Sequence, residues 1–207
     1  MGSPNGGRYQ ASKSERRKWH YSLEFKQIGR VTLSHVQLLL IPEQSLKIQL
    51  ANKIRWNQQR SLAEADFFTI GYSGRTIVEF TTILLEANVS TVLDIRQNAV
   101  SPYKPEFSKA RLKQNLERHG IQYIHRADLG VPRDIRACAV GQQDRSSIWD
   151  WYDLNVVRSF AGKNLDEFFN CADHPIAFMC SESDPYSCHR HRLALALELN
   201  GLKGYDL

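Results

Sequence analysis

The sequence predicts an α/β domain, a Rossmann-like three-layer arrangement with a mostly parallel sheet, preceded by a basic amino-terminal extension. Two observations lead there. From Asp66 onward, short apolar runs alternate with turns and amphipathic segments, the pattern of β-α units wound around a parallel sheet. Charge also changes abruptly along the chain. Residues 1–65 hold eleven Lys/Arg against four Asp/Glu, whereas residues 66–207 hold sixteen against eighteen. With 207 residues, 42% of them hydrophobic, the chain supports one good core and falls short of two full domains. The expected division is an extension over 1–65 and an α/β domain over 66–207.

In chain order, the first twenty residues mix Gly2, Gly6, Gly7, Ser12 and Ser14 with charges and offer little to bury, so they are expected to be disordered. Residues 21–41 carry no clear period. A helix is expected from about Glu43 to Gln59, where Leu46, Leu50 and Ile54 form one narrow apolar stripe. Strands are then expected at Phe67–Ile70, Thr91–Ile95, Gln122–His125, Pro175–Met179 and Lys203–Leu207. Helices fit between them at Thr76–Ala87, Ser108–His119, about Asp153–Asn170 and Ser187–Asn200. Gly120 and Gly201 stand where helices stop, and Ser108 where one starts. The stretch from Arg126 to Tyr152, with Gly130, Pro132 and Gly141, reads as a long irregular excursion.

Composition removes several classes of function. The longest apolar candidate for a membrane span, Val36–Ile41, is interrupted by Gln37 and followed by Pro42, so no membrane association is expected. The first residues lack the apolar core of a secretory signal, and four scattered cysteines make no disulfide framework. A reducing, cytoplasmic setting is expected. The net charge of +5 resides in the extension. Lys13, Arg16, Arg17 and Lys18 beside Trp19 can serve as a basic arm, but the α/β domain itself carries no general argument for nucleic acid.

In open α/β sheets ligands bind beyond the carboxyl ends of the strands. After the first strand comes Gly71-Tyr72-Ser73-Gly74-Arg75, a glycine turn presenting amides and a hydroxyl. After the second comes Asp94-Ile-Arg96, an acid and a guanidinium on one face, able to pair with each other or to meet a ligand. The fourth strand ends at Cys180, and its loop leads into a helix that carries Cys188, His189, Arg190, His191 and Arg192. A thiol facing a helix N-terminus sits in a positive partial field that favours thiolate or a bound anion. Three readings follow for this loop. It is an anion cradle built on backbone amides, Ser181 or Ser183, and Arg190; a nucleophilic cysteine, Cys180 or Cys188, activated by the helix terminus, Arg190 and His189; or a metal site from Cys180, Cys188, His189 and His191. Metal comes last, because adjacent Cys188 and His189 are expected to splay apart on a helix and the spacing is not that of zinc ribbons or fingers. Cys138 and Cys171 are expected to be structural or idle.

Four motifs recur here in an order and spacing that carry a resemblance: Thr69-Ile-Gly-Tyr-Ser-Gly-Arg75; Leu93-Asp-Ile-Arg96 with Ser101-Pro and Pro105-Glu-Phe107; Gly120-Ile-Gln-Tyr-Ile-His125 with Leu129-Gly130; and Cys180-Ser-Glu182 with Cys188-His-Arg190. From about Phe67 onward the chain resembles the domain of unknown function 488 family. The resemblance implies an α/β domain and a pocket shared by Gly71, Ser73, Asp94, Arg96, Glu182, Cys188, His189 and Arg190. Relatives tend to finish on a strand ending in His-Ile, where this chain has Tyr205-Asp206-Leu207.

The function expected is binding of an anionic, phosphate-bearing ligand, a nucleotide or a nucleic-acid end. Gly71, Ser73, Asp94, Arg96 and Arg190 are its contacts; Cys180, Glu182, Cys188 and His189 are the groups available for chemistry. No metal and no particular cofactor is assigned. One alternative is a non-catalytic nucleic-acid-associated module using the basic extension. Another is a rhodanese-like or phosphatase-like cysteine enzyme, whose loops place Arg six residues after Cys, where this chain has Tyr186.

Overall fold

The computed structural model describes residues 60–138, 145–158, 169 and 172–207. The expected helix over 43–59, the basic arm at Lys13–Lys18, and Cys171 lie outside the described residues, as does most of the expected 153–170 helix beyond Arg158.

Five parallel strands form one sheet: β1 (Phe67–Gly71), β2 (Thr91–Asp94), β3 (Gln122–His125), β4 (Ile176–Cys180) and β5 (Gly204–Asp206), in the spatial order β3-β2-β4-β1-β5. Every residue of β1, β2 and β4 is buried. That burial on both faces explains why these strands read as continuous apolar runs rather than alternating ones. Edge strand β3 is partly exposed. The expected α/β class and parallel sheet are therefore what the chain folds into.

Helices cover both faces. On one side α1 (Ile77–Glu86) and α2 (Lys109–Arg118) bury Phe80, Leu84, Leu112 and Leu116 against Phe68, Val92 and Ala177. On the other, α4 (Ser146–Tyr152) and α5 (His189–Leu199) bury Ile148, Tyr152, Leu193 and Leu197 against Phe67, Leu93 and Phe178. Phe67 and Phe178 meet edge to face at 5.7 Å on adjacent strands. The alternation of strand side chains thus feeds two cores, one per face.

Helix boundaries follow local chemistry. Thr76 caps α1 by accepting from the Glu79 amide while the Glu79 carboxylate accepts from Thr76 N–H at 2.7 Å, a reciprocal box. Gly120 and Gly201 follow α2 and α5 at φ +75° and +91°, the left-handed conformation that ends a helix with no Cβ penalty. Ser108 precedes α2 as expected, but its hydroxyl accepts from the Ser101 amide instead of capping the helix.

The stretch from Arg126 to Tyr152 departs from the irregular excursion expected of it. It holds a short turn at Ala127–Leu129, α3 (Arg133–Cys138) directly after Pro132, and α4, which continues through a wider π turn at Asp153–Val157. Glycine and proline dominate its reading as sequence, while the signal for α4 is one apolar pair, Ile148 and Tyr152, at helical spacing. The core on the α5 face fixes the rest. Among the described residues no helix is long and apolar enough to cross a membrane.

Candidate functional site

Strand order decides which loops meet. β4 lies between β1 and β2 with Gly71 beside Cys180 and Asp94 beside Met179, so the carboxyl ends of three strands form one edge. The loops after β1 and β4 are joined by backbone bonds from Tyr72 N–H to Cys180 O at 3.3 Å and from Ser73 N–H to Ser181 O at 2.8 Å. Gly71 is required at this seam. A Cβ there would lie 1.8 Å from the Glu182 carbonyl oxygen.

Side-chain alternation divides the edge into two polar clusters on opposite faces. On the α5 face stand Cys180, Glu182, Cys188 and His189. Cys180 Sγ and Cys188 Sγ both lie 3.2 Å from Glu182 Oε2, and Ser181 Oγ donates to the same oxygen at 2.9 Å. His189 Nδ1 lies 3.8 Å from Cys180 Sγ and 4.0 Å from Cys188 Sγ; Nε2 lies 3.9 Å from Cys180 Sγ and 3.1 Å from the Ile95 carbonyl. Cys180, Cys188 and His189 are all buried.

Cys188 does not lie on the helix. It has extended backbone, φ −127° and ψ 142°, at the end of the Pro185–Ser187 turn and occupies the N-cap of α5. Its side chain therefore turns back towards Cys180 and His189. The divergence expected of neighbouring helical residues fails here because the helix begins one residue later.

Ionisation is redistributed within this cluster. A hydrogen bond from Cys188 and, against burial, the charge of His189 pull the Cys180 thiol down. Burial and the adjacent Cys180 push Cys188 well up, so the two thiols titrate as a coupled pair. Burial would raise Glu182, but its own backbone amide and the two thiols outweigh it and bring the carboxyl to about 2. For His189, burial is outweighed by Cys180, and its pKa rises.

Arg190 is fully buried behind this cluster. Its guanidinium donates to the carbonyls of Glu182 and Ser183 and to Thr69 Oγ1. Those bonds hold the loop after β4 in place.

On the opposite face Asp94 and Arg96 pair through two bonds, Nε to Oδ1 at 2.8 Å and Nη2 to Oδ2 at 2.5 Å. Tyr123 donates its hydroxyl to Asp94 at 2.6 Å, and Arg96 also donates to Phe107 O at 2.9 Å. The guanidinium carbon stands 5.1 Å from the Tyr72 ring, which stacks on Phe107. The Asp94 pairing option read from the sequence is thus realised. Arg96 Nη1 is nevertheless buried with no hydrogen-bond partner among the described residues.

Arg75, at the end of the glycine turn, has the same surplus. Its Nη2 donates to Leu207 O at 2.9 Å, while its buried Nη1 has no partner among the described residues. Burial lowers its pKa, and the positive charge of Arg190 lowers it further. Gly74, at φ +82°, makes the turn.

Sequence reasoning selected Gly71, Ser73, Asp94, Arg96, Cys180, Glu182, Cys188, His189 and Arg190. The fold brings all of them to this edge, with Asp94 and Arg96 on one face of the sheet and Cys180, Glu182, Cys188, His189 and Arg190 on the other. Thr69, Tyr72, Arg75 and Tyr123 were not singled out. Tyr123 carries no signal in the sequence; its place beside Asp94 comes from the pairing of Tyr123 with Val92, which puts it on the face that Asp94 shares two residues further along β2.

The fold and this edge define a parallel α/β domain whose polar groups are gathered where the loops of β1, β2 and β4 meet. A family model described as "Domain of unknown function DUF488" matches residues 76–197, more than half of the chain, and the chain belongs to that family. Comparison with curated proteins and with solved structures returns no match.

Proposed function

We propose that this domain binds an anionic, phosphate-bearing ligand over the carboxyl edge of its sheet, beside the glycine turn. The observation that carries this reading is the pair of buried guanidinium nitrogens, Arg75 Nη1 and Arg96 Nη1, that have no acceptor among the described residues. The Arg75 backbone amide bonds the Tyr72 carbonyl, and the Arg96 guanidinium stands over the Tyr72 ring. A buried cationic donor without an acceptor is rare and calls for a water or an ion. A phosphate, with several acceptor oxygens and full negative charge, suits two such donors better than a neutral group. Cys180, Glu182, Cys188 and His189 are the groups available for chemistry at the same edge.

The test is thermal melting of the full chain with inorganic phosphate, nucleoside monophosphates, 5′-phosphorylated oligonucleotides and the matching unphosphorylated nucleosides, in metal-free buffer. Phosphate-bearing ligands are expected to raise the melting temperature and nucleosides are not. Arg75→Gln is expected to remove the response. Equal shifts for parent and variant, or none with any phosphate ligand, would overturn the reading.

A further inference from the structure

We propose that Cys180 Sγ, Cys188 Sγ and His189 Nδ1 bind a thiophilic divalent cation of the zinc class, with the Glu182 carboxylate as fourth ligand. Among the described residues, the donor atoms of Cys180, Cys188 and His189 all lie within 4.8 Å of one another, and all three side chains are buried. The carboxylate adds a fourth donor 3.2 Å from both sulfurs. Zinc–ligand bonds of ~2.0–2.3 Å at tetrahedral angles put neighbouring donors about 3.4–3.8 Å apart. The separations here, 3.2 Å for sulfur to oxygen and 3.8 and 4.0 Å for sulfur to Nδ1, lie within about half an ångström of that figure.

The surroundings match what such a site needs. His189 Nε2 is 3.1 Å from the Ile95 carbonyl. A ring that donates from Nε2 to a backbone carbonyl presents Nδ1 as an acceptor and is held in orientation. Arg190 ties the backbone of Glu182 and Ser183 to Thr69, fixing the loop that carries the carboxylate. Two thiolates and a carboxylate around a divalent ion leave one negative charge, and the Arg190 guanidinium stands nearby to balance it.

The sequence explains why spacing alone does not announce the site. Cys180 is the last residue of β4, Cys188 the N-cap of α5 and His189 its first residue. The ligands therefore come from a strand end and a helix start joined by a turn, and not from a zinc-ribbon knuckle. Thiolate and imidazole donors select zinc and other thiophilic ions over magnesium or calcium. Uptake displaces the remaining thiol protons to solvent, so binding weakens as pH falls.

The reduced full chain, stripped of metal, is titrated anaerobically with Co²⁺ and then with Zn²⁺. About one equivalent per chain is expected, with the visible bands of tetrahedral cobalt, a near-ultraviolet thiolate-to-cobalt band, and loss of both when zinc displaces cobalt. Cys188→Ser and His189→Ala are expected to weaken uptake by more than roughly 100-fold, beyond the loss typical of outer-shell partners. Glu182→Gln is expected to keep the thiolate band and change the visible one. A cobalt spectrum without the thiolate band, or binding unchanged in a Cys188→Ser chain with parental circular dichroism, would overturn the proposal. The phosphate reading is judged in metal-free buffer, so failure of either leaves the other standing.

Discussion

Gly71 lies directly against Glu182: a Cβ added at position 71 would meet the Glu182 carbonyl carbon at 2.6 Å and its oxygen at 1.8 Å. The obstacle is backbone, which cannot swing aside as a side-chain tip can. Gly71→Ala is therefore expected to push the loop after β4 away from β1 and to cost about 1–3 kcal/mol, the range for overpacking a close contact. Chemical denaturation of parent and variant measures it. Gly74→Ala provides a contrast, because a Cβ there meets nothing within 4 Å and the penalty comes only from φ +82°. A Gly71→Ala chain as stable as the parent would mean that the loop after β4 yields without cost and that crowding does not require glycine there.

Asp94 is the hub of the opposite face, accepting from Arg96 Nε, Nη2 and backbone N–H and from the Tyr123 hydroxyl. Asp94→Asn keeps the shape but leaves a buried guanidinium without its counter-charge. Breaking one partner of a buried pair costs about 3–5 kcal/mol. Tyr123→Phe removes one bond to a charged acceptor, worth about 1.5–3 kcal/mol. The expected order in equilibrium unfolding is Asp94→Asn well below Tyr123→Phe, both below the parent. A reversed order would show that Arg96 finds its counter-charge elsewhere.

The strands were legible because they are buried on both faces. Phe67–Gly71, Thr91–Asp94 and Ile176–Cys180 stand out as apolar runs with turns on either side. Their order was not legible. Nothing in Ile176–Cys180 states that it inserts between β1 and β2; that follows from how the crossovers pack. The same limit applied at the site. Cys180, Glu182, Cys188 and His189 were visible as reactive types in one loop, but the extended backbone of Cys188, which turns its thiol towards His189, is set by the Pro185–Ser187 turn. Tyr123 escaped notice because its role depends on the pairing of β3 with β2.

The α1 capping box gives a pH dependence with a definite sign. The Thr76 amide, and then its hydroxyl, bond the Glu79 carboxylate and lower its pKa from 4.5. A carboxyl whose folded pKa lies below its unfolded value contributes stability above the unfolded value and loses it as pH falls through the folded one. Glu79→Gln is expected to flatten the stability profile below about pH 4.5 and to leave its slope near neutrality unchanged. Parallel urea titrations from neutral pH to pH 3 read this out. An unchanged acid slope would show that other carboxyls dominate it.

Arg190 separates loop organisation from direct ligand contact. Its guanidinium is fully buried and donates to three acceptors, Glu182 O, Ser183 O and Thr69 Oγ1. Lysine keeps the charge but presents a single nitrogen that cannot span all three in the same plane. At least one buried acceptor in Arg190→Lys is left unpaired, at a cost of about 1–3 kcal/mol. If the guanidinium's task is to hold the loop, amide exchange should quicken across residues 181–187 in the variant while β1 and β2 stay protected. Phosphate response and metal uptake should weaken together, since Gly71 and Glu182 meet at the seam this loop forms. Slow exchange across 181–187, with only the phosphate response lost, would instead assign Arg190 to the ligand.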